Sequence, residues 1–418
     1  MTPTLTGGRL PSRGWPLRVF AVDDCSVQLT WRASPAEDLT IEVGDLVARP
    51  SPSPQVQLVL GASRRTRHLD PAWPAGAGSV VMDGLSPGTT YDVVAAGRGT
   101  PRFLAGRLRT LPVPGQRLLC RFATVSDVHI GETHFGVLGR IHDALDKPAR
   151  YGGPDSAPDG EPYPVRALRA AIDEAVAWGA ELIVAKGDLT ARTTPAEVRD
   201  AGRLLTASPV PVEALLGNHD NQLGVDSRAI LEKEGLAVPW VPHARDLPGV
   251  RLVLVNTVQG DPRYHRGQLP PEMSRRVAQL AAESPAETWV ALHHPPERHR
   301  FPTVYPPGVP FEESRRLLEA LAAAKPAAFV TCGHRHRNRR HDYGPIVVSE
   351  VGATKDYPGV WAGYKVYDGG LVQVVRRISR PDVISWTEAT RRAMNGQWHR
   401  WSPGRLDDRC FAVGWARR

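Results

Sequence analysis

Five short, mostly apolar runs of strand length recur in the middle of the chain, and each stops at polar residues. The run at 182–185 is followed by a lysine and then by Gly187 and Asp188. The other four runs lie at 122–126, 212–216, 289–292 and 328–332. Runs of this kind are typical of buried parallel strands. Because ligands collect at the carboxyl ends of such strands, we expect the polar residues that follow to converge in space.

Segments with the residue spacing of amphipathic helices lie between several of these runs. Apolar residues between 165 and 178 recur at the three- and four-residue intervals of an amphipathic helix, and 315–324 forms a second such segment. Thr194 followed by Pro195 is typical of an N-cap and the first residue of a helix. The alternation of strands and helices predicts a layered α/β domain over residues 115–375.

Residues 1–114 show a different pattern, without a long helical segment. Short alternating runs such as 26–31 are separated by clusters of Pro, Gly and Asp, which predicts a small antiparallel β-sandwich. The segment 85–94, which contains Leu-Ser-Pro-Gly-Thr-Thr-Tyr, resembles the strand-turn-strand of fibronectin type III domains. Trp31 suits the buried aromatic position of an early strand. Two prolines and a glycine at 111–115 predict a linker.

The periodic pattern fades after residue 375, but aromatic residues continue. Residues 376–418 contain Trp386, Trp398, Trp401, Phe411 and Trp415. So many aromatic residues are unusual for a disordered tail. We therefore expect a C-terminal tail over 376–418 that packs on the body of the protein, with the N-terminal sandwich as one candidate surface.

Composition adds few constraints. The chain has 418 residues, enough for two domains, and its 41% hydrophobic and 23% charged residues are ordinary for a globular protein. The net charge of +8 would suggest an anionic partner, but it comes from 46 arginines and six lysines spread along the chain. We therefore find no strong signal for nucleic-acid binding.

Cysteine spacing and hydropathy bear on the environment of the protein. The four cysteines are far apart in sequence and form no C-x-x-C pair, so neither a zinc knuckle nor a disulfide scaffold is indicated. No run of 18 or more apolar residues is present, so no membrane association is expected. A cytoplasmic protein is the simplest interpretation, and a homo-oligomer remains open.

The polar residues after the five runs form an ordered set of motifs. They read Asp-x-His, Gly-Asp, Gly-Asn-His-Asp, His-His and Gly-His-x-His. Singly each motif is weak, because such residues are common in turns. Together, over residues 118–375, they closely resemble the calcineurin-like metallophosphoesterases. The resemblance implies a four-layer α/β/β/α sandwich with a two-metal centre, preceded here by the small all-β sandwich.

The resemblance also implies a ligand set. Asp127, His129 and His336 would hold one metal, Asn218, His293 and His334 would hold the other, and Asp188 would bridge the two. Carboxylate and amide oxygens mixed with imidazole nitrogens suit Mn, Fe, Zn or Co. A metal-bridging hydroxide would then attack phosphorus in line.

Two histidines of the motifs need separate treatment. His219 follows the predicted ligand Asn218, and the family resemblance implies that it faces the substrate as general acid, with Asp220 as an orienting partner. Neighbours on an extended segment point in opposite directions, so only one of His293 and His294 should be a ligand. The family pattern favours His293, and a register shifted to His294 remains open.

Other polar residues near the motifs carry less specific predictions. Four arginines surround the last motif and could grip a phosphate, although in so arginine-rich a chain a solvated face is favoured; they are Arg335, Arg337, Arg339 and Arg340. Six histidines outside the motifs are expected at the surface or behind the ligands: His134, His142, His243, His265, His299 and His341.

The motif variants favour one branch of the family. Purple acid phosphatases resemble this chain in having an N-terminal β-sandwich, but the position of their iron-ligating tyrosine is Arg192 here. The Gly-Asn-His-Asp and His-His-Pro-Pro sequences are similar to those of small cyclic-nucleotide and glycerophosphodiester phosphodiesterases. We therefore predict hydrolysis of small phosphodiesters. The alternatives are a phosphomonoesterase of the same fold and a binding or scaffold protein with a structural metal.

Overall fold

The computed structural model describes most of the chain. The described segments are residues 18–32, 40–44, 65–68, 77–97, 100–132, 160–222, 224–258, 265–394 and 396–415. His134 and His142 lie outside these segments, so the positions expected for them stay predictions.

Seven strands form two antiparallel sheets in the N-terminal part. They are β1 (Arg18–Val22), β2 (Ser26–Trp31), β3 (Thr40–Gly44), β4 (Arg65–His68), β5 (Gly78–Asp83), β6 (Thr90–Gly97) and β7 (Thr100–Arg109). One sheet has the order β1-β2-β5 and the other β4-β3-β6-β7. Trp31 and Tyr91 are buried in the core between them, and the Tyr91 hydroxyl accepts a hydrogen bond from the Ser86 amide at 2.7 Å. The predicted all-β N-terminal part is confirmed, and its likeness to fibronectin type III domains stays a prediction.

The rest of the described chain alternates strands and helices, and it ends in a β-hairpin, three helices and a last strand. Its elements are β8 (Leu118–Val125), α1 (Tyr163–Ala177), β9 (Ile183–Lys186), α2 (Pro195–Thr206), β10 (Val212–Leu215), α3 (Ser227–Lys233), β11 (His243–Leu247), β12 (Val250–Leu254), α4 (Pro271–Ala282), β13 (Glu287–Ala291), α5 (Phe311–Ala324), β14 (Phe329–Cys332), β15 (Arg339–Tyr343), β16 (Ile346–Glu350), β17 (Val360–Tyr367), β18 (Gly370–Arg377), α6 (Pro381–Thr390), α7 (Trp398–Trp401), α8 (Leu406–Arg409) and β19 (Cys410–Gly414).

These strands form two six-stranded mixed sheets that pack face to face. Their orders are β10-β9-β8-β17-β18-β19 and β11-β12-β13-β14-β16-β15. The β8-β9-β10 and β12-β13-β14-β16 pairs are parallel. Phe122 lies between the sheets, with its ring centroid 4.9 Å from that of Tyr364 and 5.0 Å from that of Trp289. Burying rings of this size is worth about 1.5–3 kcal/mol each.

Helices cover the outer faces of both sheets. Apolar residues of α1, α2 and α3 pack on one sheet, and those of α4 and α5 pack on the other. The result is the predicted four-layer α/β/β/α sandwich. Helix α2 begins where the sequence indicates, because Thr194 and Glu197 form a reciprocal capping box at its first turn.

The C-terminal residues contribute to the body of the protein. Strand β19 pairs with β18 at one edge of the first sheet. Arg409 donates from Nε to the Phe20 carbonyl at 2.9 Å, so the segment also contacts the N-terminal part. The segment therefore contacts both parts of the chain, whereas the division of the chain after 114 and 375 stays a prediction. Among the described residues, no helix is both long and apolar enough to cross a membrane.

Candidate metal centre

The predicted ligands come together where strands of both sheets end. Asp127, His129 and Asp188 follow β8 and β9, while His334 and His336 follow β14. All five adopt positive φ angles between 48° and 70°. Non-glycine residues in this region cost about 1–3 kcal/mol each and cluster at functional sites. Local sequence alone would not hold these turns, so the surrounding packing maintains them.

One group of four side chains combines three that follow strands of the first sheet with His336, which follows β14 of the second. Asp127, His129, Asp188 and His336 place one ligand atom each within 4.8 Å of one another. His129 Nε2 lies 3.5 Å from Asp188 Oδ2, and His336 Nε2 lies 3.5 Å from Asp127 Oδ1. Asp127 is held in place by the Ser126 hydroxyl at 2.6 Å and the His334 amide at 2.9 Å. These contacts aim carboxylate and imidazole groups at one small volume.

A second group consists of His293, His294 and His334, which also place ligand atoms within 4.8 Å of one another. His293 Nε2 lies 3.3 Å from both Asp188 Oδ1 and Asn218 Oδ1. The other ring nitrogen of His293 is 2.8 Å from the Lys186 carbonyl, which fixes the ring orientation. Every predicted ligand is therefore brought into the same region.

The structure also brings His294 to the second group, beside His293 and His334. Its Nδ1 is 2.8 Å from the Thr257 hydroxyl, and its buried Nε2 has no hydrogen-bond partner among the residues that the structure describes. His293, in contrast, faces Asp188 and Asn218 directly. This geometry favours the register predicted from sequence, with His294 alongside the ligands.

The residues fit divalent metal ions. Within the described part of the chain, His129 Nε2 is a buried nitrogen without a hydrogen-bond partner, and such an atom costs about 1–3 kcal/mol unless something binds it. Imidazoles mixed with carboxylates are the donor set of Zn, Mn, Fe and Co. The space for these donors depends on Gly217, because a Cβ there would lie 2.1 Å from Asp188 Oδ1.

Burial and charge set the protonation of the site. Burial lowers the pKa of His129 and of His334 well below the usual range, so both imidazoles are neutral near pH 7. Burial also opposes the charge on Asp188, yet His293 and His219 hold the pKa of that carboxyl well below its usual range. Burial likewise opposes protonation of His293, but the Asp188 carboxylate raises its pKa to about 9. His293 would therefore have to give up a proton to bind a metal through Nε2.

His219 lies beside the first group, with its ring centroid 4.5 Å from that of His129. Its backbone amide donates to Asp188 Oδ1 at 2.8 Å. Its Nδ1 lies 2.9 Å from the Ala191 carbonyl, which leaves Nε2 as the nitrogen available to a substrate. The partner that orients this ring is therefore the Ala191 carbonyl.

The carboxylate of Asp220 contacts backbone amides, and the orienting role predicted for it stays a prediction. Its carboxylate accepts hydrogen bonds from the amides of Gly217, Leu189 and Thr190 at 2.8–3.0 Å. Burial and then the nearby Asp188 charge raise its pKa to about 6. Asp220 thus ties the Gly-Asp turn to the Gly-Asn-His-Asp turn, and it does not contact the His219 ring.

The solvated face predicted for the four arginines is wrong for two of them. Arg335 is buried and its guanidinium forms an ion pair with Glu297. Arg337 binds both oxygens of Glu350, at 2.7 and 2.9 Å. Arg339 is exposed, as expected. The sequence could not show these pairs, because Glu297 lies 38 residues before Arg335 and Glu350 lies 13 residues after Arg337.

Two further residues at the site lack an assigned role in the sequence analysis. His265, expected only at the surface or behind the ligands, is exposed and places Nδ1 3.2 Å from Asn218 Nδ2. The side-chain amide of Asn218 therefore directs its nitrogen to His265 and its oxygen to His293. Asp356 accepts from His336 Nδ1 at 2.6 Å. It lies in the loop six residues after β16, so extending the strand-end rule along this loop would have found it.

Comparison with known proteins gives a family match and several relatives. Residues 120–338 match the model of the calcineurin-like phosphoesterase family. A Rhodococcus erythropolis protein named "Probable cyclic nucleotide phosphodiesterase" is 28% identical over 240 residues, which is 54% of this chain and 70% of that protein. A cAMP/cGMP dual specificity phosphodiesterase of Mycobacterium tuberculosis is 26% identical over 42% of this chain and 54% of its own length.

Similar solved structures include PhoD and a purple acid phosphatase from yellow lupin seeds. The PhoD structure has 13% identity and a TM-score of 0.41, with 90% of this chain and 89% of that chain covered. The lupin enzyme has 12% identity and a TM-score of 0.42, with 87% and 72% covered.

Proposed function

Since the chain belongs to the calcineurin-like phosphoesterase family and is a metal-dependent phosphoester hydrolase, we propose that it hydrolyses small phosphodiesters at a two-metal centre. The observation that carries the proposal is the position of Asp188. Its Oδ2 faces His129 at 3.5 Å, while its Oδ1 faces His293 at 3.3 Å. A carboxylate that offers one oxygen to each of two ligand groups suits a bridge between two cations.

The ligand assignment follows from these groups. Asp127, His129 and His336 would hold one cation, Asn218, His293 and His334 would hold the other, and Asp188 would serve both. Mn, Fe, Zn and Co are the candidate ions, because the donors are carboxylate, amide and imidazole. Bound there, two such ions supply Lewis-acid stabilisation of the phosphoryl oxygens and lower the pKa of water enough for attack near neutral pH.

His219 supplies the proton for the leaving group in this proposal. The Ala191 carbonyl accepts from Nδ1–H at 2.9 Å, so the Nε2 nitrogen of a protonated ring is directed to the substrate. Proton transfer from Nε2 to the departing oxygen avoids the release of a free alkoxide. Thr193 contributes indirectly, since its hydroxyl contacts the His219 carbonyl and helps to fix the turn.

Charge near the last motif favours a diester over a monoester. A phosphomonoester dianion benefits from an additional cationic side chain, such as a free guanidinium. The guanidinium groups of Arg335 and Arg337 are already paired with Glu297 and Glu350. Both relatives described above are named as cyclic nucleotide phosphodiesterases, which makes cyclic nucleotides the first substrates to examine.

A side-by-side rate comparison tests this function. Protein reconstituted with Mn²⁺ is assayed under one condition on bis-nitrophenyl phosphate, nitrophenyl phosphate, cyclic AMP, a glycerophosphodiester, single-stranded DNA and a phosphopeptide. We expect the small diesters to turn over fastest, with no turnover in Asp188→Asn. A large preference for the monoester would reverse the ranking, and fastest turnover of DNA or phosphopeptide would contradict a small substrate. A metal-bound protein inactive on every substrate would instead indicate a binding role.

A further inference from the structure

The C-terminal segment contacts the metal centre through tryptophan side chains that lie outside the family match. Residues 355–357 form part of the loop between β16 and β17, and three consecutive residues of this loop are held by the segment. Trp386 Nε1 donates to the Lys355 carbonyl at 2.7 Å, and the Tyr357 amide donates to the Thr390 hydroxyl at 2.8 Å. Between them, Trp398 Nε1 donates to Asp356 Oδ1 at 3.1 Å.

Asp356 connects this loop to a predicted ligand. It is fully buried, and its Oδ2 accepts from His336 Nδ1 at 2.6 Å. The hydrogen bond fixes the imidazole with its proton on Nδ1 and leaves Nε2 directed to Asp127. Carboxylates in this position orient the ligating ring and increase its basicity.

The Trp398 indole completes the arrangement by fixing the carboxylate itself. The terminal torsion of an aspartate side chain has broad minima, so one hydrogen bond does not set the plane of the carboxylate. A second hydrogen bond, from Trp398 to Oδ1, sets this plane because His336 already holds Oδ2. The rings of Trp398 and His336 also lie close, with centroids 6.1 Å apart.

A neighbouring tryptophan supports the turn that carries the ligands. Trp401 Nε1 donates to the Arg335 carbonyl at 3.2 Å, and Arg335 lies between His334 and His336. The Asn338 amide donates to the Ser402 carbonyl at 2.9 Å. Helix α7 and its C-terminal end therefore hold both the ligand turn and the Asp356 loop.

We propose that Trp398 is a positioning residue of the metal centre, acting through Asp356 on His336. This inference rests on the two-metal centre proposed above. It assigns the C-terminal segment a part in metal binding, beyond its packing on the fold. Loss of the indole N–H should lower the affinity for the cation assigned to Asp127, His129 and His336. The affinity for the other cation should stay unchanged.

The test compares metal binding by three single variants of the full chain. Trp398→Phe keeps an aromatic ring and removes the N–H, while Asp356→Asn changes the carboxylate directly. Trp415→Phe is the matched control, because the Trp415 indole donates to the Tyr367 carbonyl, away from the ligands. Calorimetric titration of metal-free protein with Mn²⁺ gives the affinity and stoichiometry of each, and circular dichroism checks the fold.

We expect Asp356→Asn to lower the affinity for one of the two metals about 10–100-fold. Trp398→Phe should lower the affinity for the same metal on the order of tenfold. Trp415→Phe should match the wild type. Wild-type affinity for both metals in Trp398→Phe would overturn the inference and leave the proposed function intact. A wild type that binds fewer than two metals would instead contradict the two-metal centre.

A measurement on the wild type covers the case in which Trp398→Phe does not fold. The indole Nε1–H signal of Trp398 is observed in a proton–nitrogen correlation NMR spectrum of isotope-labelled protein. This signal should shift when Zn²⁺ is added to metal-free protein. The resonance of Trp415 should stay in place. An unchanged Trp398 resonance at full metal loading would overturn the inference.

Discussion

Single side chains at the site each serve one contact that their chemistry suits. Asp188 offers one oxygen to each ligand group, and His219 keeps Nε2 available because Ala191 occupies Nδ1. Asp220, which sequence alone associated with His219, instead accepts three backbone amides. Neighbouring residues in one motif therefore have different functions, and substitutions should separate them.

Asp188→Ala should lose at least one metal and nearly all turnover. Removing the carboxylate leaves two cations without the negative charge that compensates them. Metal analysis of the purified variant measures the first effect and a phosphodiester assay the second. Asp342→Ala, at an aspartate whose side chain is 55% exposed, is the control and should keep both metals. Two tightly bound metals in Asp188→Ala would contradict the bridging assignment.

His219→Ala should reduce turnover without reducing metal content. Loss of a general acid costs about 10²–10⁴-fold in rate for a leaving group that needs a proton. A nitrophenyl ester, whose leaving group hardly needs one, should be affected much less. Rates for cyclic AMP and bis-nitrophenyl phosphate, measured on the same preparation, give the comparison. Equal losses on both substrates would show that His219 does not act as the acid.

The strand ends and their turns determine how closely the ligands approach. Glycines at these turns leave room for the carboxylates: a Cβ at Gly333 would lie 2.0 Å from Ser126 Oγ and 2.6 Å from Asp127 Oδ2. The turn after β14 can pass this close to the turn after β8 only without a side chain. The two sheets are thus joined at the site through backbone contact as well as through side chains.

Gly333→Ala should therefore displace Asp127 and lower both metal affinity and stability. Inserting a methyl group into such a contact costs about 1–3 kcal/mol. The free energy of unfolding and the metal affinity are measured together. Gly414→Ala is the matched control, because the nearest atom to its new Cβ, the Gly369 carbonyl oxygen, is 3.9 Å away. Unchanged metal affinity in Gly333→Ala would show that the turn can relax without moving Asp127.

A buried charge cluster joins the N-terminal strands to the catalytic sheets. Asp23 Oδ2 lies 3.0 Å from Lys365 Nζ and 3.2 Å from Arg376 Nη2, while Asp24 also contacts Lys365. Asp23, Asp24 and Cys25 place donor atoms close enough to hold a metal. The carboxylates are neutralised by Lys365 and Arg376, so this cluster is an ion-pair contact between the two parts of the chain.

The pH dependence of stability should report this cluster. Burial opposes the charge on Asp23, but Lys365 and Arg376 lower its pKa from 3.8 to about 2. A carboxyl whose pKa is lower in the folded state stabilises the protein above pH 3.8 and loses that contribution as the pH falls towards 2. The free energy of unfolding of the wild type should therefore decrease between pH 4 and pH 2.

Asp23→Asn should remove part of this decrease. At pH 7 it should destabilise the protein by about 3–5 kcal/mol, because it removes one partner of a buried pair. The difference from the wild type should shrink as the pH falls from 4 to 2. Asp342→Asn, in an exposed pair with Arg340, should follow the wild-type curve. A constant difference across this range would mean that Asp23 does not titrate there.

Much of the fold and the site could be predicted from sequence, since both depend on local patterns. Buried parallel strands need uninterrupted apolar runs, so strands β8, β9, β10, β13 and β14 are visible in the pattern. The convergence of the candidate ligands follows because polar residues at strand ends lie at one edge of a sheet, whereas their division between two metals came from the family resemblance. Asp356 fits the rule when it is extended along the loop after β16, although its motif differs from those that the family resemblance supplied.

The remaining features depend on contacts between residues far apart in the chain. Trp398 meets Asp356 across 42 residues, and Arg335 meets Glu297 across 38. Neither pairing leaves a periodic signal, because each is set by how α7 and the loop before α5 pack on the sheet edge. The local sequence around an arginine does not show whether its side chain faces water or a buried carboxylate. Sequence therefore supplies the candidate ligands, and three-dimensional packing selects which side chains hold them in place.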